Sequence, residues 1–429
     1  MNAYKNFIFK DYNFDPGSKI LRLYYSFDGI LEFSESYKFD FDFVEYDPIT
    51  LDKALQSLFF MAGISYYKAY IPKSIVIDRG AMDDVEAKFF SKTYQKGLGE
   101  FFYVNQLDPN TPINFPVSAT TAIETKLPST GSLLVGIGGG KDSLVSVELL
   151  RDSGLDITTW SLSHRSQLEP LIKVIGLPHL WVERTWDRSL LEHNAANALN
   201  GHIPISAILA CAGTIVAILS GREQVVVSNE NSANEPDLEY RGVQINHQYS
   251  KSLEFEEDYQ AYLKHTIGAP GYFSYLRPLS EIYIAEIFAR VGFSKYLGVF
   301  SSCNRAFTHE SQHIFWCGKC AKCAFTYLAL TPFVEANELE SIWGKNLLLD
   351  PELEVTYKKL LGILDKPLDC VGEIKESRMA MRLAQETYPE LNKYKFDIPS
   401  DYNYQSFSKS SMPEKILAQL ENQIAKINN

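Results

Sequence analysis

Cysteine, methionine and tryptophan are scarce in this chain, at six, six and five of 429 residues. So few cysteines exclude the dense disulfide framework that holds small secreted domains together. Basic residues are in deficit too: 41 Lys and Arg stand against 53 Asp and Glu, for a net charge of -12. With no stretch that would form a phosphate-backbone footprint, a nucleic-acid partner is not expected. Long apolar runs are also missing. IPISAILACAGTIVAIL at 203–219 falls short of the roughly 20 residues that span a bilayer. It contains Pro204, Ser206 and Gly213 as well, so it reads as a buried helix and no membrane insertion is expected. The opening MNAYKNFIFKDYNF lacks the basic start and apolar core of a secretory signal, which makes the expected location cytoplasmic. There is no low-complexity tract and no repeat of fixed period.

Core-forming residues are plentiful, with 45% of the chain apolar and 13% aromatic. A globular chain of this length divides by the usual domain size into about two or three domains. KILRLYYSF and ILEFSESYKFDFDFVEY flank Asp28-Gly29, a dipeptide suited to a type I′ hairpin. In the second run Tyr37, Phe39, Phe41 and Phe43 alternate with Lys38, Asp40 and Asp42, the period of a half-buried strand. A helix at TLDKALQSLFFMAG and a linker containing DPNTPINFPVSATT complete an N-terminal α+β domain, residues 1–127. From 133 short apolar runs alternate with helices: LLVGIG, DSLVSVELLRDSG, DITTWSLS, PLIKVIG, HLWVERT, the 203–219 helix and QVVVS. Runs buried on both faces predict an α/β fold with a doubly wound parallel sheet over 128–330. Residues 331–429 read as a helical C-terminal region.

Within LLVGIGGGKDSLVSVELL, the glycines Gly136, Gly138, Gly139 and Gly140 sit between a buried strand and a helix, with Asp142 placed as its N-cap. A strand, a glycine turn and a helix N-terminus form an anion site, because backbone N–H groups converge there and the helix dipole favours negative charge. Two common phosphate loops fail in register. GxxxxGK[ST] would put its first glycine on Val135, and GxGxxG begun at Gly136 would end on Lys141. What remains, GGGKDS, resembles the SGGxDS signature of the PP-loop ATP pyrophosphatases, with Gly138 in the place of Ser. The resemblance implies a PP-loop, adenine nucleotide alpha hydrolase-like fold that binds the pyrophosphate of ATP while a substrate oxygen attacks the α-phosphorus.

SSCNRAFTHESQHIFWCGKCAKC places Cys303 ahead of Cys317, Cys320 and Cys323. Four thiolates can close a tetrahedral zinc site, and His309 or His313 could replace Cys303 as the fourth ligand. The same arrangement after RPLSEIYIAEIFARVG resembles 7-cyano-7-deazaguanine synthase, a zinc-bearing PP-loop enzyme that activates a carboxylate.

Over nearly the whole chain the combination resembles the MurL family: an N-terminal domain of this size, GGGKDS, SNENSANEPDLEYRGVQINHQYSKSLEFE at 228–256, SSCNR with WCGKCAKCAF, and KPLDCVG at 366–372. The resemblance implies an isomerase that uses ATP and Mg²⁺ to invert the terminal L-glutamate of a UDP-MurNAc-dipeptide, a peptidoglycan precursor, releasing AMP and diphosphate. Gly138, Gly139, Gly140 and Ser143 are expected to cradle the pyrophosphate, Lys141 to neutralise phosphate charge, and Asp142 to hold Mg²⁺ or cap the helix. The polar segment after QVVVS follows a parallel strand at its carboxyl end, where such sheets bind ligands. Its candidates are Glu230 or His247 as base, Lys251 or Tyr249 as proton donor, and Asn229, Asn231, Arg241 and Ser250 for substrate. Amide- or thiol-forming adenylation, and non-catalytic nucleotide sensing, are the competing readings. The oligomeric state is not legible.

Overall fold

The computed structural model describes residues 4–118, 131–268, 270–307, 311 and 313–428. Its strands in chain order are β1 (Asn6–Asp15), β2 (Ile20–Phe27), β3 (Leu31–Asp40), β4 (Ser74–Ile77), β5 (Ser132–Gly136), β6 (Asp156–Leu162), β7 (His179–Thr185), β8 (Gln224–Val227), β9 (Leu238–Tyr240), β10 (Val243–Ile245) and β11 (Gly271–Ser274). The β2–β3 hairpin turns through Asp28 and Gly29 at φ 53° and 70°, the left-handed pair that a type I′ turn demands.

Among the described residues nine strands form one sheet, in the order β11-β8-β5-β6-β7-β3-β2-β1-β4. The five from β11 to β7 run parallel; the alternation of apolar runs and helices predicts four of them, β5 to β8, and passes over β11. The sheet as a whole is mixed, because the parallel strands expected over 128–330 share it with the N-terminal strands β1 to β4. β3 pairs antiparallel with β7, placing Phe39 opposite Val182, and so joins the N-terminal strands to the parallel set. The seam is fastened by Arg184, whose Nε and Nη2 donate to the two Glu35 oxygens at 3.1 and 2.9 Å. Period-two alternation says which face a residue takes; it does not say which edge finds a partner.

Both faces of the parallel strands are covered. Leu134, Val225 and Tyr272 pack with the N-terminal helix Pro48–Ala62 and the helices Ile205–Ser220 and Leu253–Thr266. Their neighbours Leu133, Val135, Val226 and Phe273 pack on the other side, with the helices Lys141–Arg151, Glu281–Val291 and Ala321–Leu330. The helix Pro48–Ala62 is started by Asp47, which accepts from the Thr50 N–H, a cap worth about 1 kcal/mol. The segment read as a linker is partly structural. Ile113 and Phe115 are buried, and the Phe115 ring lies 4.9 Å from that of Tyr94; residues 119–130 lie outside the described set. From 331 onward the described residues contain helices and no strand. No helix among the described residues is long and apolar enough to cross a membrane.

Candidate active site

β5 has β6 on one side and β8 on the other. The chain therefore reverses its direction of sheet growth at the carboxyl end of β5, the position where open α/β sheets form ligand crevices. The glycine loop occupies it. Gly139 has φ +96°, and a Cβ there would come within 2.7 Å of Phe307 Cζ, so any other residue would be both strained and crowded. A Cβ at Gly138 would meet nothing within 4 Å. The helix begins two residues earlier than Asp142 as a cap would require. Gly140 is the N-cap and makes no side-chain cap bond, so Asp142 lies inside the first turn instead. That turn leaves N–H groups without intrahelical acceptors.

Lys141 is 5% exposed, and its Nζ is shared by the carboxylates of Asp142 and Glu281. Burial opposes its charge, but the two carboxylates outweigh burial and raise its pKa. Glu281 opens the helix Glu281–Val291 behind the Ser280 cap, and its own N–H donates to Glu376 Oε1 at 2.9 Å. Glu230 comes from the other side, just beyond β8. Ligand oxygens of Asp142, Glu230 and Glu281 lie within 4.8 Å of one another. Burial, with Asp142 and Glu230 beside it, pushes the Glu281 carboxyl up against the pull of Lys141. Three carboxylates around one ammonium leave surplus negative charge, and three hard oxygen donors of this kind suit Mg²⁺.

Arg277, fully buried, ties this side of the site to the rest. It donates to Glu256 Oε2 from Nε at 3.1 Å and from Nη2 at 3.0 Å, to the Glu230 carbonyl at 2.6 Å, and to the Lys251 carbonyl. Glu230 and Lys251 are thereby held from behind by one guanidinium.

A second cluster surrounds Lys251. His247 Nδ1 meets Asp237 Oδ2 at 2.8 Å, and Nε2 lies 3.4 Å from Cys370 Sγ. The His247 N–H also donates to Asp237 Oδ2, at 2.8 Å, so ring and backbone are fixed together. Burial disfavours the imidazolium, yet the bonds to Asp237 and Cys370 prevail and raise His247 to about 9. Burial would raise Cys370, but Lys251 and His247 bring it down to about 6. Lys251 is raised in turn, with Cys370 and Glu230 overcoming its burial. The N-terminal segment reaches this cluster: the His202 ring lies 5.8 Å from that of His247 and 3.6 Å from Glu100 Oε2.

The cysteines converge as well. Sγ separations are 3.9 Å for Cys303–Cys320, 3.8 Å for Cys317–Cys323 and 3.5 Å for Cys320–Cys323. A tetrahedral Zn–S₄ centre with bonds of about 2.3 Å has edges of about 3.8 Å, so the four thiols match it. His313 is exposed and outside the group, and His309 lies outside the described residues.

The remaining candidates are placed as follows. Ser250 is buried beside Lys251. The Asn229 carbonyl accepts from Ser274 Oγ at 2.6 Å, and the Asn231 N–H donates to the Leu279 carbonyl at 3.1 Å, which keeps both next to Glu230. Two candidates are not brought together with the others. The Tyr249 ring joins the N-terminal core against Phe255, with its hydroxyl 3.5 Å from Asp258. Arg241 is exposed at the tip of the β9–β10 hairpin, its guanidinium over Tyr240. Glu281, Asp237 and Cys370 join the site without having been nominated. Glu281 reads as an ordinary first-turn acid, Asp237 as loop, and Cys370 as a lone cysteine whose sole signal is its place in KPLDCVG.

Residues 1–275 match the MurL N-terminal domain and residues 299–395 the MurL C-terminal domain. The chain is similar to the UDP-N-acetyl-alpha-D-muramoyl-L-alanyl-L-glutamate epimerase of Xanthomonas oryzae pv. oryzae, at 41% identity over 338 residues, 77% of this chain and 74% of the relative. The enzymes of the same name from Salinispora tropica and a Micromonospora species are 39% and 38% identical, each over 79% of this chain and 74% and 76% of their own lengths.

Proposed function

The chain belongs to the MurL epimerase family, and from that premise we propose that it inverts the terminal glutamate of UDP-MurNAc-L-Ala-L-Glu through an acyl-adenylate. The observation that carries this reading is the glycine loop at the sheet's reversal point, facing a buried lysine and three converging carboxylates. The loop's GGGKDS sequence resembles the signature of the PP-loop pyrophosphatases. Gly138, Gly139, Gly140 and Ser143 hold the pyrophosphate of ATP, and Lys141 offsets its charge. Asp142, Glu230 and Glu281 would hold Mg²⁺, which supplies charge neutralisation for the phosphates.

The glutamyl α-carboxylate attacks the α-phosphorus, and pyrophosphate leaves. Activation matters because a carboxylate resists losing its Cα proton: a second negative charge would develop beside the first. An acyl-adenylate has no such charge and delocalises the carbanion as an enolate. Each pKa unit removed from that C–H lowers the barrier by at most about 1.4 kcal/mol. After reprotonation on the opposite face, hydrolysis releases the inverted acid and AMP. Asn229, Asn231 and Ser250, adjacent to Glu230 and Lys251, contact the substrate. Cys303, Cys317, Cys320 and Cys323 bind a structural Zn²⁺. The setting is the cytoplasm, where the nucleotide-linked precursor is expected.

The test incubates purified protein, ATP, Mg²⁺ and UDP-MurNAc-L-Ala-L-Glu in D₂O and follows AMP, Cα deuteration and chirality together. D-Glu carrying one deuterium, with AMP formed, is the expected result. AMP without deuteration would redirect the reading to another acyl transfer. No AMP from folded, metal-loaded protein would remove the adenylation reading.

A further inference from the structure

Six free cysteines are spread along the chain, and four of them belong to the metal-binding group. The other two differ sharply. Cys211 is sealed in the core, 3.8 Å from Ser57 Oγ, and burial pushes its thiol up to about 12. Cys370 is half-buried and surrounded by polar groups. It lies between the helices Glu354–Leu360 and Ile374–Thr387, on a segment with no regular structure of its own.

That segment is tied down at the site. Asp369 accepts from Asn304 Nδ2 at 2.7 Å, and Lys366 Nζ reaches Glu235 at 2.8 Å and Asp237 at 4.0 Å. The same Asp237 orients the His247 ring, whose far nitrogen faces Cys370 Sγ. Lys251 is close enough for its charge to lower the pKa of the thiol. The cluster also adjoins the phosphate loop: Lys251 is held by the same Arg277 as Glu230, and it senses the charges of both Glu230 and Asp142. One guanidinium thus anchors the backbone both of a carboxylate facing the loop and of this cluster's lysine. The charged and titratable groups facing Cys370 are Lys251, His247, Lys322 and Glu100. Three of these are cationic when protonated, which is the setting of a reactive thiolate rather than a structural thiol.

We propose that Cys370 removes the Cα proton of the activated glutamyl residue, that Lys251 delivers a proton to its opposite face, and that His247 and Asp237 position the thiolate. The inference rests on the adenylation reading given above. The thiolate takes the proton, and the C–H electron pair moves into the acyl-adenylate carbonyl to give the enolate. That pair then returns to Cα to form the new C–H bond with a proton from the Lys251 ammonium. A thiol and a neutral amine are left. With product gone, the proton passes from sulfur to nitrogen, restoring the thiolate and the ammonium. Cys370 and Lys251 are catalytic residues in this scheme, His247 and Asp237 positioning residues.

The test uses the full chain with UDP-MurNAc-L-Ala-L-Glu, ATP and Mg²⁺ in D₂O. C370A should keep AMP formation within about 3-fold of the unaltered protein and lose Cα deuteration by roughly 100-fold or more, the range for removing a general base. C370S, of nearly the same size, repeats the measurement should C370A fold poorly. K251M should return L-glutamate that has gained deuterium without inversion, since removal and return then occur on one face. H247N should move the acid limb of deuteration upward from about 6 by roughly one pH unit, toward the ordinary thiol value, a change that a merely structural histidine would not cause. Inversion by C370A or C370S within about 10-fold of the unaltered protein would overturn the proposal while leaving adenylation intact. An unaltered protein that forms no AMP would instead remove the adenylation reading, and this proposal with it.

Discussion

Replacing Arg277 with methionine keeps much of the volume and removes the guanidinium on which the site is hung. Glu256, 1% exposed, loses both of its bonds to Arg277, and the carbonyls of Glu230 and Lys251 lose their donor. Breaking a buried ion pair from one side costs about 3–5 kcal/mol, because a desolvated charge is left behind. Here the carboxylate retains the Ser274 N–H at 3.1 Å and Ser411 Oγ at 2.6 Å, which favours the lower end, about 3 kcal/mol. That is a large share of the roughly 5–15 kcal/mol that holds a protein folded. Urea unfolding followed by tryptophan fluorescence reads the loss directly. The double variant R277M/E256Q no longer carries the stranded charge and should recover about 1–2 kcal/mol of it. In the folded fraction of R277M, AMP formation and Cα exchange should fall together, because Glu230 and Lys251 move together. An R277M protein within about 1 kcal/mol of the parent, with both partial reactions intact, would refute the reasoning.

Cα exchange should follow a bell-shaped pH profile. The Cys370 thiolate, with its pKa lowered, is lost as pH falls through about 6, and the His247 imidazolium, with its pKa raised, is lost as pH rises through about 9. The stability contributed by the pair should vary over the same limits, and a flat profile between pH 5 and pH 10 would contradict it, as one unit beyond each limit leaves only about a tenth of the charge. Gly139→Ala should abolish AMP formation and cost about 1–3 kcal/mol for its strained φ, whereas Gly138→Ser should stay within about 3-fold of the parent activity; equal effects of the two would contradict the loop geometry. Treatment with a chelator should release one equivalent of zinc per chain and lower Tm by more than about 4 °C, checked by metal analysis and calorimetry. Cys320→Ser should do the same without chelator, and an unchanged Tm in metal-free protein would rule out a structural centre.

Wherever a feature depends on neighbours in the chain, the sequence alone determined it. Asp28-Gly29 supports left-handed φ at two successive positions, so the β2–β3 turn follows locally. Three glycines between an apolar run and a helical pattern specify a tight strand-to-helix turn, and CxxCxxC brings three thiols onto one short loop. The same holds for four of the five parallel strands, β5 to β8, whose apolar runs alternate with helices. Tertiary structure decided the rest, because it turns on pairings between distant segments. Whether β3 would find β7 depends on which sheet edges are left uncovered, and no local pattern encodes that. Tyr249 and Lys251 are close neighbours, yet one packs with Phe255 in the core and the other faces Cys370, a division made by the 3-10 turn at Tyr249–Lys251 and by Arg277. Glu281 becomes a site carboxylate only because its helix begins opposite the glycine loop. Cys370, alone in its segment, acquires its low pKa from a histidine and a lysine more than a hundred residues away. Electrostatic character of this kind is a property of the assembled neighbourhood, and the fold must exist before the residue has it.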